Sequence, residues 1–528
     1  MLSRPLARIA ALRGFRADLT AFALGLIAAT ALPPVYAVPV LLISVPGLLA
    51  LIDGASNWAV ALRRGWWFGF GHHLLGLYWV TEAILYEAAR YWWFVPIAVP
   101  ALAATLAIFI GIACAVTRLA VPGWPRAVAL AGAWVLMDLA RQFVLTGFPW
   151  NLWGSVWELP GIAGDVMIQP AAWVSIHGLT LATLLLAAAP ARGWRWRIGA
   201  LAGLAAWAVA GWLRLDALVP TAPGLEVVLV QGNVAQGQKW DQAFARSIFE
   251  RYLRLTEQGV AQAGHGPHVV VWPETAFPGL LDIDPTARQM IEQADDGSPA
   301  LIGSVRFDAN RRPRNSLFAV TAGGTIVDVY DKWHLVPFGE FQPNWVPLPI
   351  IVVPGGGFAS GRGPQTLHVP GLPPVGALIC YEAIFPGQVV DSADRPAWLV
   401  NVTNDAWFGN STGPRQHLAA ARMRAVEEGL PMLRAANTGI SAVIDAHGAV
   451  VARLGLDKTG TLVAPLPGAL APTPVSRMGL AAPAILAISS CAAGLGLGRR
   501  RGVADFMSRD GLKNAKKVPK TSKLVDNL

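Results

Sequence analysis

The chain is 528 residues long, and hydrophobic residues make up 54% of it while charged residues make up only 14%. Soluble domains carry about a quarter charged residues, so this composition excludes a wholly soluble protein and predicts that part of the chain lies in lipid. The 22 tryptophans agree, because Trp collects at membrane interfaces. The net charge of +9 does not indicate nucleic-acid binding, because the basic residues are scattered or flank apolar runs.

Seven apolar runs dominate the chain up to about Leu213, and each is predicted to form a membrane helix. The runs are 20–32, 38–52, 65–84, 94–116, 128–145, 171–189 and 198–213. The first two are short and are separated by Pro33 and Pro34. An eighth run, 480–497, precedes a basic tail.

The arginines that flank these runs fall on one side of the membrane if all seven runs cross it, as the positive-inside rule requires. They are Arg4, Arg8, Arg13, Arg16, Arg63, Arg64, Arg118, Arg126, Arg192, Arg195 and Arg197. A signal peptide ending at Ala37 is the alternative for the first run. Counting the first two runs as one helix, however, would move Arg63 and Arg64 to the outer side and break the pattern.

This pattern predicts four parts of the chain. Residues 1–216 form a membrane domain of seven helices, and residues 224–466 form a folded domain on the outer face. Residues 478–498 form a last transmembrane helix. Residues 499–528 form a basic cytoplasmic tail near anionic lipid.

The middle part alternates short apolar strands with helical stretches. Strands are predicted at 226–231, 268–272, 300–305, 375–379 and 398–402, and helices at 242–262 and 416–428. Alternation of this kind indicates an α/β sandwich rather than an all-β module.

Only one of the three cysteines lies outside the apolar runs. Cys114 and Cys491 fall within them, and none of the three has metal-ligand spacing. Cys380 is therefore a candidate nucleophile, with a small buried core residue as the alternative.

Three ionisable residues of the middle domain stand beside strands: Glu274 in Val-Trp-Pro-Glu-Thr-Ala, Lys332 in Tyr-Asp-Lys-Trp-His, and Cys380 in Ala-Leu-Ile-Cys-Tyr-Glu. Catalytic groups gather at strand ends in α/β sheets. A carboxylate can take the proton of a thiol, and a lysine can stabilise the oxyanion of acyl transfer. A turn Glu, a solvated Lys and a core Cys are the alternatives.

Other motifs favour structural roles. Ser411 lies in a Gly-x-Ser-x-Gly match, but well past its strand and inside a Gly-rich loop, unlike a nucleophile elbow. His72 and His73 lie in an apolar run without a His-Glu-x-x-His pattern, so no metal site is expected. Asp138 and Arg141 lie in a membrane run, where charged residues suggest function, but an ion pair at helical spacing explains them almost as well.

The order Glu274, Lys332, Cys380, together with the sequence that flanks each residue, resembles that of the carbon–nitrogen hydrolase (nitrilase) superfamily. With the surrounding helices, the whole chain resembles the apolipoprotein N-acyltransferase family of bacterial envelopes. The matching motifs are Thr146-Gly-Phe-Pro-Trp150, Gln231-Gly-Asn, Lys239-Trp240-Asp241, His334-Leu-Val-Pro-Phe-Gly-Glu340, Asn401-Val-Thr-Asn-Asp-Ala-Trp-Phe-Gly409 and Arg422-Met-Arg-Ala-Val426. The resemblance implies an αββα sandwich joined to a multi-pass helical membrane domain.

The resemblance also implies roles for individual residues. Cys380 would be the nucleophile, Glu274 its general base, and Lys332 would stabilise the oxyanion together with the backbone N–H of Tyr381. The proposed pairing predicts a lowered pKa for Cys380.

Three further residues have supporting roles by the same resemblance. Glu340 would be an additional acid that orients the site, and Glu382 the acid that follows the nucleophile. Trp240 would lie near the entrance for the acyl chain, with an ordinary interface anchor as its alternative.

The implied activity is a ping-pong acyl transfer. An acyl chain passes from a phospholipid to the cysteine as a thioester, and then to the α-amine of a diacylglyceryl-cysteine on a lipoprotein. No cofactor or metal is expected, and the implied location is the bacterial inner membrane with the catalytic domain in the periplasm. A membrane-anchored amidase that transfers to water, and a transporter or receptor with a ligand-binding domain, are the alternatives.

Overall fold

The computed structural model describes residues 3–86, 88–216, 224–239, 241–343 and 357–496. These residues form an N-terminal helical region, an α/β domain and a final helix. The prediction for Trp240 and the one for the tail at 499–528 lie outside the described residues.

The helical region has a helix for each of the seven predicted apolar runs, and four short helices besides. Its helices are α1 (Ser3–Ala11), α2 (Gly14–Ala29), α3 (Leu41–Asp53), α4 (Trp58–Gly76), α5 (Val80–Leu85), α6 (Ala88–Tyr91), α7 (Val95–Arg118), α8 (Trp124–Phe143), α9 (Ile162–Ile168), α10 (Ala171–Ala188) and α11 (Trp194–Leu215). Helix α4 packs closely on its neighbours through glycines. A Cβ on Gly25 of α2 would lie 2.0 Å from the carbonyl oxygen of Phe68, so only glycine allows this approach.

By length and composition, three helices of the described part of the chain can cross a membrane: Trp92–Arg118, Ala171–Ala191 and Trp194–Leu215. Val38–Asp53 and Ala481–Gly496 are apolar but shorter. The latter, the final helix, packs on α8, where a Cβ on Gly132 would lie 2.4 Å from the backbone nitrogen of Cys491. The prediction of seven crossings before the α/β domain and one after it stays a prediction.

The α/β domain contains twelve strands within the described residues. They are β1 (Glu226–Gln231), β2 (His268–Val271), β3 (Ala300–Phe307), β4 (Pro313–Thr321), β5 (Thr325–Asp331), β6 (Thr366–Leu367), β7 (Val375–Ile379), β8 (Trp398–Thr403), β9 (Met432–Ala436), β10 (Ser441–Ile444), β11 (Val450–Leu454) and β12 (Gly460–Pro465). The accompanying helices are α12 (Gln236–Lys239), α13 (Gln242–Ala263), α14 (Pro285–Ala294), α15 (Gly413–Glu428) and α16 (Pro474–Met478).

The strands form two six-stranded sheets, in the orders β12-β1-β2-β3-β4-β5 and β11-β10-β9-β8-β7-β6. Alternate residues of each strand face opposite layers. Val227 and Leu229 of β1 join the core between the two sheets, while Val228 and Val230 pack against α13. Helix α15 covers the outer face of the second sheet. The layers are therefore helix, sheet, sheet, helix, as predicted.

Buried polar contacts join the helical region to the α/β domain. Helix α10 is broken at Ser175, whose φ of 61° and ψ of 170° are not helical. Oε1 of Glu427, in α15, accepts hydrogen bonds at 2.8 Å from both Ser175 Oγ and the backbone nitrogen of Ile176. Glu427 also forms an ion pair with Arg424 at 2.7 Å. A carboxylate from the α/β domain therefore caps the second half of a membrane-region helix.

We predict that Glu427→Ala lowers the free energy of unfolding much more than the loss of an exposed ion pair does. The substitution leaves the Ile176 N–H without its acceptor and the buried Arg424 guanidinium without its counter-ion, which costs about 3–5 kcal/mol. Glu250→Ala, which removes an exposed ion pair with Arg246, should cost less than about 0.5 kcal/mol. Thermal unfolding of both variants in detergent measures the difference, and equal midpoints would contradict the assigned role of Glu427.

Candidate active site

Glu274, Lys332 and Cys380 lie at strand ends of both sheets. Lys332 directly follows β5 and Cys380 directly follows β7, while Glu274 comes three residues after β2. The structure brings the Lys332 ammonium and the Glu274 carboxylate together, with Nζ 3.2 Å from Oε1. Cys380 lies near enough for both charges to act on its thiol.

The Glu274 carboxylate is fully engaged by hydrogen-bond donors. Oε1 accepts from Asn315 Nδ2 at 2.7 Å and from Lys332 Nζ, and Oε2 accepts from the backbone nitrogen of Asn404 at 2.9 Å. Glu340 Oε1 accepts from the same two side chains, at 2.9 Å from Lys332 Nζ and 3.0 Å from Asn315 Nδ2. Lys332 and Asn315 therefore hold two carboxylates side by side.

The charges of this cluster stabilise one another. Burial alone would lower the pKa of Lys332, but the Glu274 and Glu340 carboxylates raise it well above its ordinary value. Burial alone would raise the pKa of Glu274, but Lys332 and then Lys239 and Asn315 bring it below its ordinary value. Glu274 is therefore an ionised carboxylate at neutral pH, and it can accept a proton.

Cys380 begins a tight turn at the end of β7. It has a φ of 53°, which is in the left-handed region that non-glycine residues avoid. Such strain is maintained only where surrounding contacts enforce it, and it is frequent at functional sites.

The prediction of a lowered pKa for Cys380 is wrong. Burial raises the pKa of the thiol, the Glu274 carboxylate raises it further, and Lys332 opposes them without reversing the shift. The resting residue is a neutral thiol, because the anion would lie in a dry site beside a carboxylate. As a nucleophile, a neutral thiol would need a base to take its proton.

Glu382 anchors the turn that carries the cysteine. One of its oxygens accepts from the backbone nitrogens of Trp333 at 2.7 Å and His334 at 3.2 Å. The other accepts from the nitrogen of Ile379 at 2.6 Å and the hydroxyl of Tyr330 at 2.8 Å. Burial raises the pKa of Glu382 to about 7 despite these bonds. Its contacts tie the segment after Lys332 to the segment around Cys380.

Tyr381 connects the turn to the helical region. Its hydroxyl donates to the carbonyl oxygen of Gly147 at 2.8 Å, and its ring stacks on Phe148 with centroids 6.3 Å apart. Both partners belong to the Thr146-Gly-Phe-Pro-Trp150 motif. The residue after the cysteine is therefore held by the membrane part of the chain.

Three residues of this site were not among the predicted site residues: Lys239, Asn315 and Asn404. Lys239 is buried, and its ammonium donates to the backbone oxygen of Glu274 at 2.8 Å. Burial lowers the pKa of Lys239 to about 8. Lys239 and Asn404 could have been found from the sequence, because both lie within motifs that the chain shares with the family. No motif marks Asn315, whose partners come from other parts of the chain.

The structure brings together one group with metal-ligand geometry among the described residues: Cys380, Asp405 and His417, whose donor atoms lie within 4.8 Å of one another. Oδ2 of Asp405 is paired with Arg434 at 2.7 Å, and the ring nitrogens of His417 contact Asp405 and the Cys380 carbonyl oxygen. The Asp405 and His417 donors already have partners, and the Arg434 guanidinium, 2.7 Å from Asp405 Oδ2 and 3.1 Å from His417 Nδ1, would repel a metal cation. The group does not fit a metal.

The other motifs have structural partners. Asp138 and Arg141 form the expected ion pair at 2.8 Å, and Arg141 also donates to the backbone oxygen of Trp150. Ser411 Oγ donates to the Phe408 carbonyl oxygen at 2.6 Å, within the turn before α15. No strand runs directly into this turn, so it is not a nucleophile elbow.

Family models match both halves of the chain. "Carbon-nitrogen hydrolase" matches residues 193–474, and "Apolipoprotein N-acyltransferase N-terminal domain" matches residues 24–189. Among solved structures, Nit3 of Saccharomyces cerevisiae, a member of branch 10 of the nitrilase superfamily, is similar with a TM-score of 0.37 and 18% identity. The matched region covers 47% of this chain and 91% of Nit3.

Curated relatives match along nearly the full length. The apolipoprotein N-acyltransferase of Rhodopseudomonas palustris is 38% identical, over 92% of this chain and 96% of the relative. That of Bradyrhizobium diazoefficiens is 38% identical, over 90% and 93%. That of Sinorhizobium medicae is 40% identical, over 89% and 93%. The chain therefore belongs to the apolipoprotein N-acyltransferase family, with a catalytic domain of the carbon–nitrogen hydrolase superfamily.

Proposed function

We propose that the protein transfers a fatty acyl chain from a membrane phospholipid to the α-amine of a lipoprotein's diacylglyceryl-cysteine, through a thioester on Cys380. One observation carries the proposal. The Glu274 carboxylate forms a buried ion pair with Lys332, and it lies close enough to Cys380 to raise the pKa of the thiol. That arrangement supplies a base, a cation and a nucleophile in a dry site, which acyl transfer requires.

In the first step, Glu274 takes the thiol proton while Cys380 Sγ attacks the ester carbonyl of the phospholipid. A carbon–sulfur bond forms, and the negative charge moves to the carbonyl oxygen. The Lys332 ammonium and the backbone N–H of Tyr381 stabilise this oxyanion. When the carbon–oxygen bond breaks, Glu274 returns its proton to the leaving oxygen and a lysophospholipid departs.

In the second step, the α-amine of the acceptor attacks the thioester. Glu274 takes a proton from the amine, the same donors stabilise the second oxyanion, and the carbon–sulfur bond breaks. The thiolate of Cys380 recovers the proton from Glu274, so the enzyme returns to its starting state. The product is an amide on the lipoprotein, and no cofactor takes part.

Glu340 and Glu382 support this chemistry without changing charge in it. Glu340 shares Lys332 with Glu274, and its second oxygen accepts from the backbone nitrogen of Val336 at 2.8 Å. It therefore fixes the ammonium in place. Glu382 holds the turn of Cys380 against the segment that follows Lys332.

We further propose a multi-pass protein of the bacterial inner membrane, with the α/β domain on the periplasmic side and the basic tail in the cytoplasm. The distribution of arginines between alternate loops supports this topology. Both substrates are anchored in lipid, so a site held at the membrane surface raises their effective concentration. Trp240 would contact the entering acyl chain.

We predict that purified protein incubated with phospholipid vesicles gains one fatty-acyl group on Cys380, because the thioester forms before the acceptor binds. Adding a diacylglyceryl peptide with a free α-amine should move the group to the peptide. Intact-protein mass spectrometry measures both. Cys380→Ala should give neither product, whereas the control Cys491→Ala should behave as the unaltered protein. An adduct lost only to water would indicate an amidase-like hydrolase instead.

We predict that Glu274→Gln lowers the pKa of Cys380, because the Glu274 carboxylate raises it. Thiolate then forms at lower pH, so the midpoint of the pH-dependence of iodoacetamide alkylation should shift down. Acyl transfer should nevertheless fall by about 10²–10⁴-fold, since the base is lost. The exposed control Glu250→Gln should change neither the midpoint of alkylation nor the rate of acyl transfer. A midpoint that stays or rises would be inconsistent with the electrostatic account.

A further inference from the structure

The carbonyl oxygen of Cys380 accepts two hydrogen bonds from buried side chains. His417 Nε2 lies 3.0 Å from it, and Asn401 Nδ2 lies 3.3 Å from it. Both side chains are fully buried, and they come from different elements, α15 and β8. Nothing in the proposed chemistry requires this oxygen, so two buried donors directed at it need another explanation.

The two donors belong to a closed ring of hydrogen bonds. His417 Nδ1 lies 2.8 Å from Asp405 Oδ1, and Asp405 Oδ2 pairs with Arg434 at 2.7 Å. Arg434 in turn donates to the side-chain oxygen of Asn401, which returns the ring to Cys380. Each of the four side chains is at most 1% exposed. The ring therefore fixes both donors in position before any substrate arrives.

Nε2 of His417 donates to the Cys380 oxygen in two of the three protonation states of the imidazole. Protonated His417 donates through Nδ1 to Asp405 and through Nε2 to the Cys380 oxygen. Burial lowers the pKa of His417 and so favours a neutral ring. The neutral form with the proton on Nε2 accepts at Nδ1 from Arg434, 3.1 Å away. The remaining tautomer would direct the Nε2 lone pair at the carbonyl oxygen of Cys380, 3.0 Å away, which is repulsive.

The accepting oxygen belongs to the peptide group that joins Cys380 to Tyr381. The nitrogen of that peptide group is the Tyr381 N–H, which is assigned to the oxyanion in the proposed function. Hydrogen bonds to a peptide oxygen polarise the group and strengthen its N–H as a donor. They also hold the carbonyl in the orientation that the left-handed φ of Cys380 imposes.

We propose that His417 and Asn401 are positioning residues that orient and polarise the Cys380–Tyr381 peptide group, so that the Tyr381 N–H stabilises the oxyanion of acyl transfer. Asp405 and Arg434 hold the two donors in place. This inference rests on the proposed function, because it assigns the ring to a charge that only acyl transfer develops.

Two reactions of the same thiol test the inference. Acylation by phospholipid develops an oxyanion, whereas alkylation by iodoacetamide displaces iodide at a saturated carbon and develops none. His417→Leu removes the donor and should lower the acylation rate about 10–100-fold, with alkylation within about twofold. His417→Gln, whose amide can donate to the same oxygen, should recover most of the acylation rate. Asn401→Ala should lower acylation alone, by a smaller factor.

His268→Leu is the matched control. His268 is also buried, and both of its ring nitrogens contact backbone carbonyl oxygens, of Gly266 at 3.1 Å and Asp295 at 3.2 Å. Its loss should leave the ratio of acylation to alkylation unchanged. Both rates are measured on the folded, monodisperse fraction of each variant, because unfolding would expose the buried Cys380 thiol and speed its alkylation while acylation is lost.

The possible results distinguish a failure of the positioning role from a failure of the proposed function. If the ratio of acylation to alkylation is unchanged in both His417→Leu and Asn401→Ala, the inference is overturned, because the ring of hydrogen bonds would then only stabilise the fold. A His417→Gln variant as impaired as His417→Leu would overturn the role of the Nε2 donor. Absence of acylation in the unaltered protein, with normal alkylation, would overturn the proposed function and this inference with it.

Discussion

The site depends on one buried ammonium group, Lys332 Nζ, which contacts the carboxylates of Glu274 at 3.2 Å and Glu340 at 2.9 Å. Each charge alone would be costly in this interior, and each is stable because the others are present. Lys332 keeps Glu274 ionised and therefore able to accept a proton. Burial, and then the same carboxylate, raise the pKa of Cys380, so the thiol is neutral at rest. In the proposed mechanism it becomes a nucleophile when its proton moves to Glu274.

The surrounding structure holds these groups in position before a substrate binds. Glu382 fixes the turn of Cys380 to the segment after Lys332, and Tyr381 fixes it to Gly147 of the helical region. Glu427 caps a broken helix of that region from the other side of the interface. The turn that carries Cys380 is therefore held both from within the α/β domain and from the helical region. Preorganised donors need no reorganisation at the moment of reaction.

Much of the fold could be predicted because its strands are buried on both faces and read as continuous apolar runs. Strands β1 and β7 have the bounds expected from the sequence, and α13 and α15 lie within three residues of theirs. Seven of the twelve described strands were not predicted: β4, β5, β6, β9, β10, β11 and β12. The two-residue β6 and the half-exposed β11 lack such runs. The buried β9 has Arg434 at its centre, and β10 has only four residues. Asn315 and the break at Ser175 escaped for another reason: their partners, Glu274 and Glu427, are distant in sequence. The pKa of Cys380 was predicted with the wrong sign, because burial could not be read from its neighbours.

The most direct test of the central claim is the ionisation of Glu274, measured by infrared difference spectroscopy with isotope-labelled glutamate in the full-length protein. The unaltered protein should show no carboxylic-acid band from Glu274 at neutral pH. Lys332→Met should show one, because burial then raises the pKa of Glu274 against only the weaker opposition of Lys239 and Asn315. The band should disappear when Glu274→Gln is added to Lys332→Met. A Glu274 that stays ionised without Lys332 would contradict the claim that this ammonium group determines the state of the site.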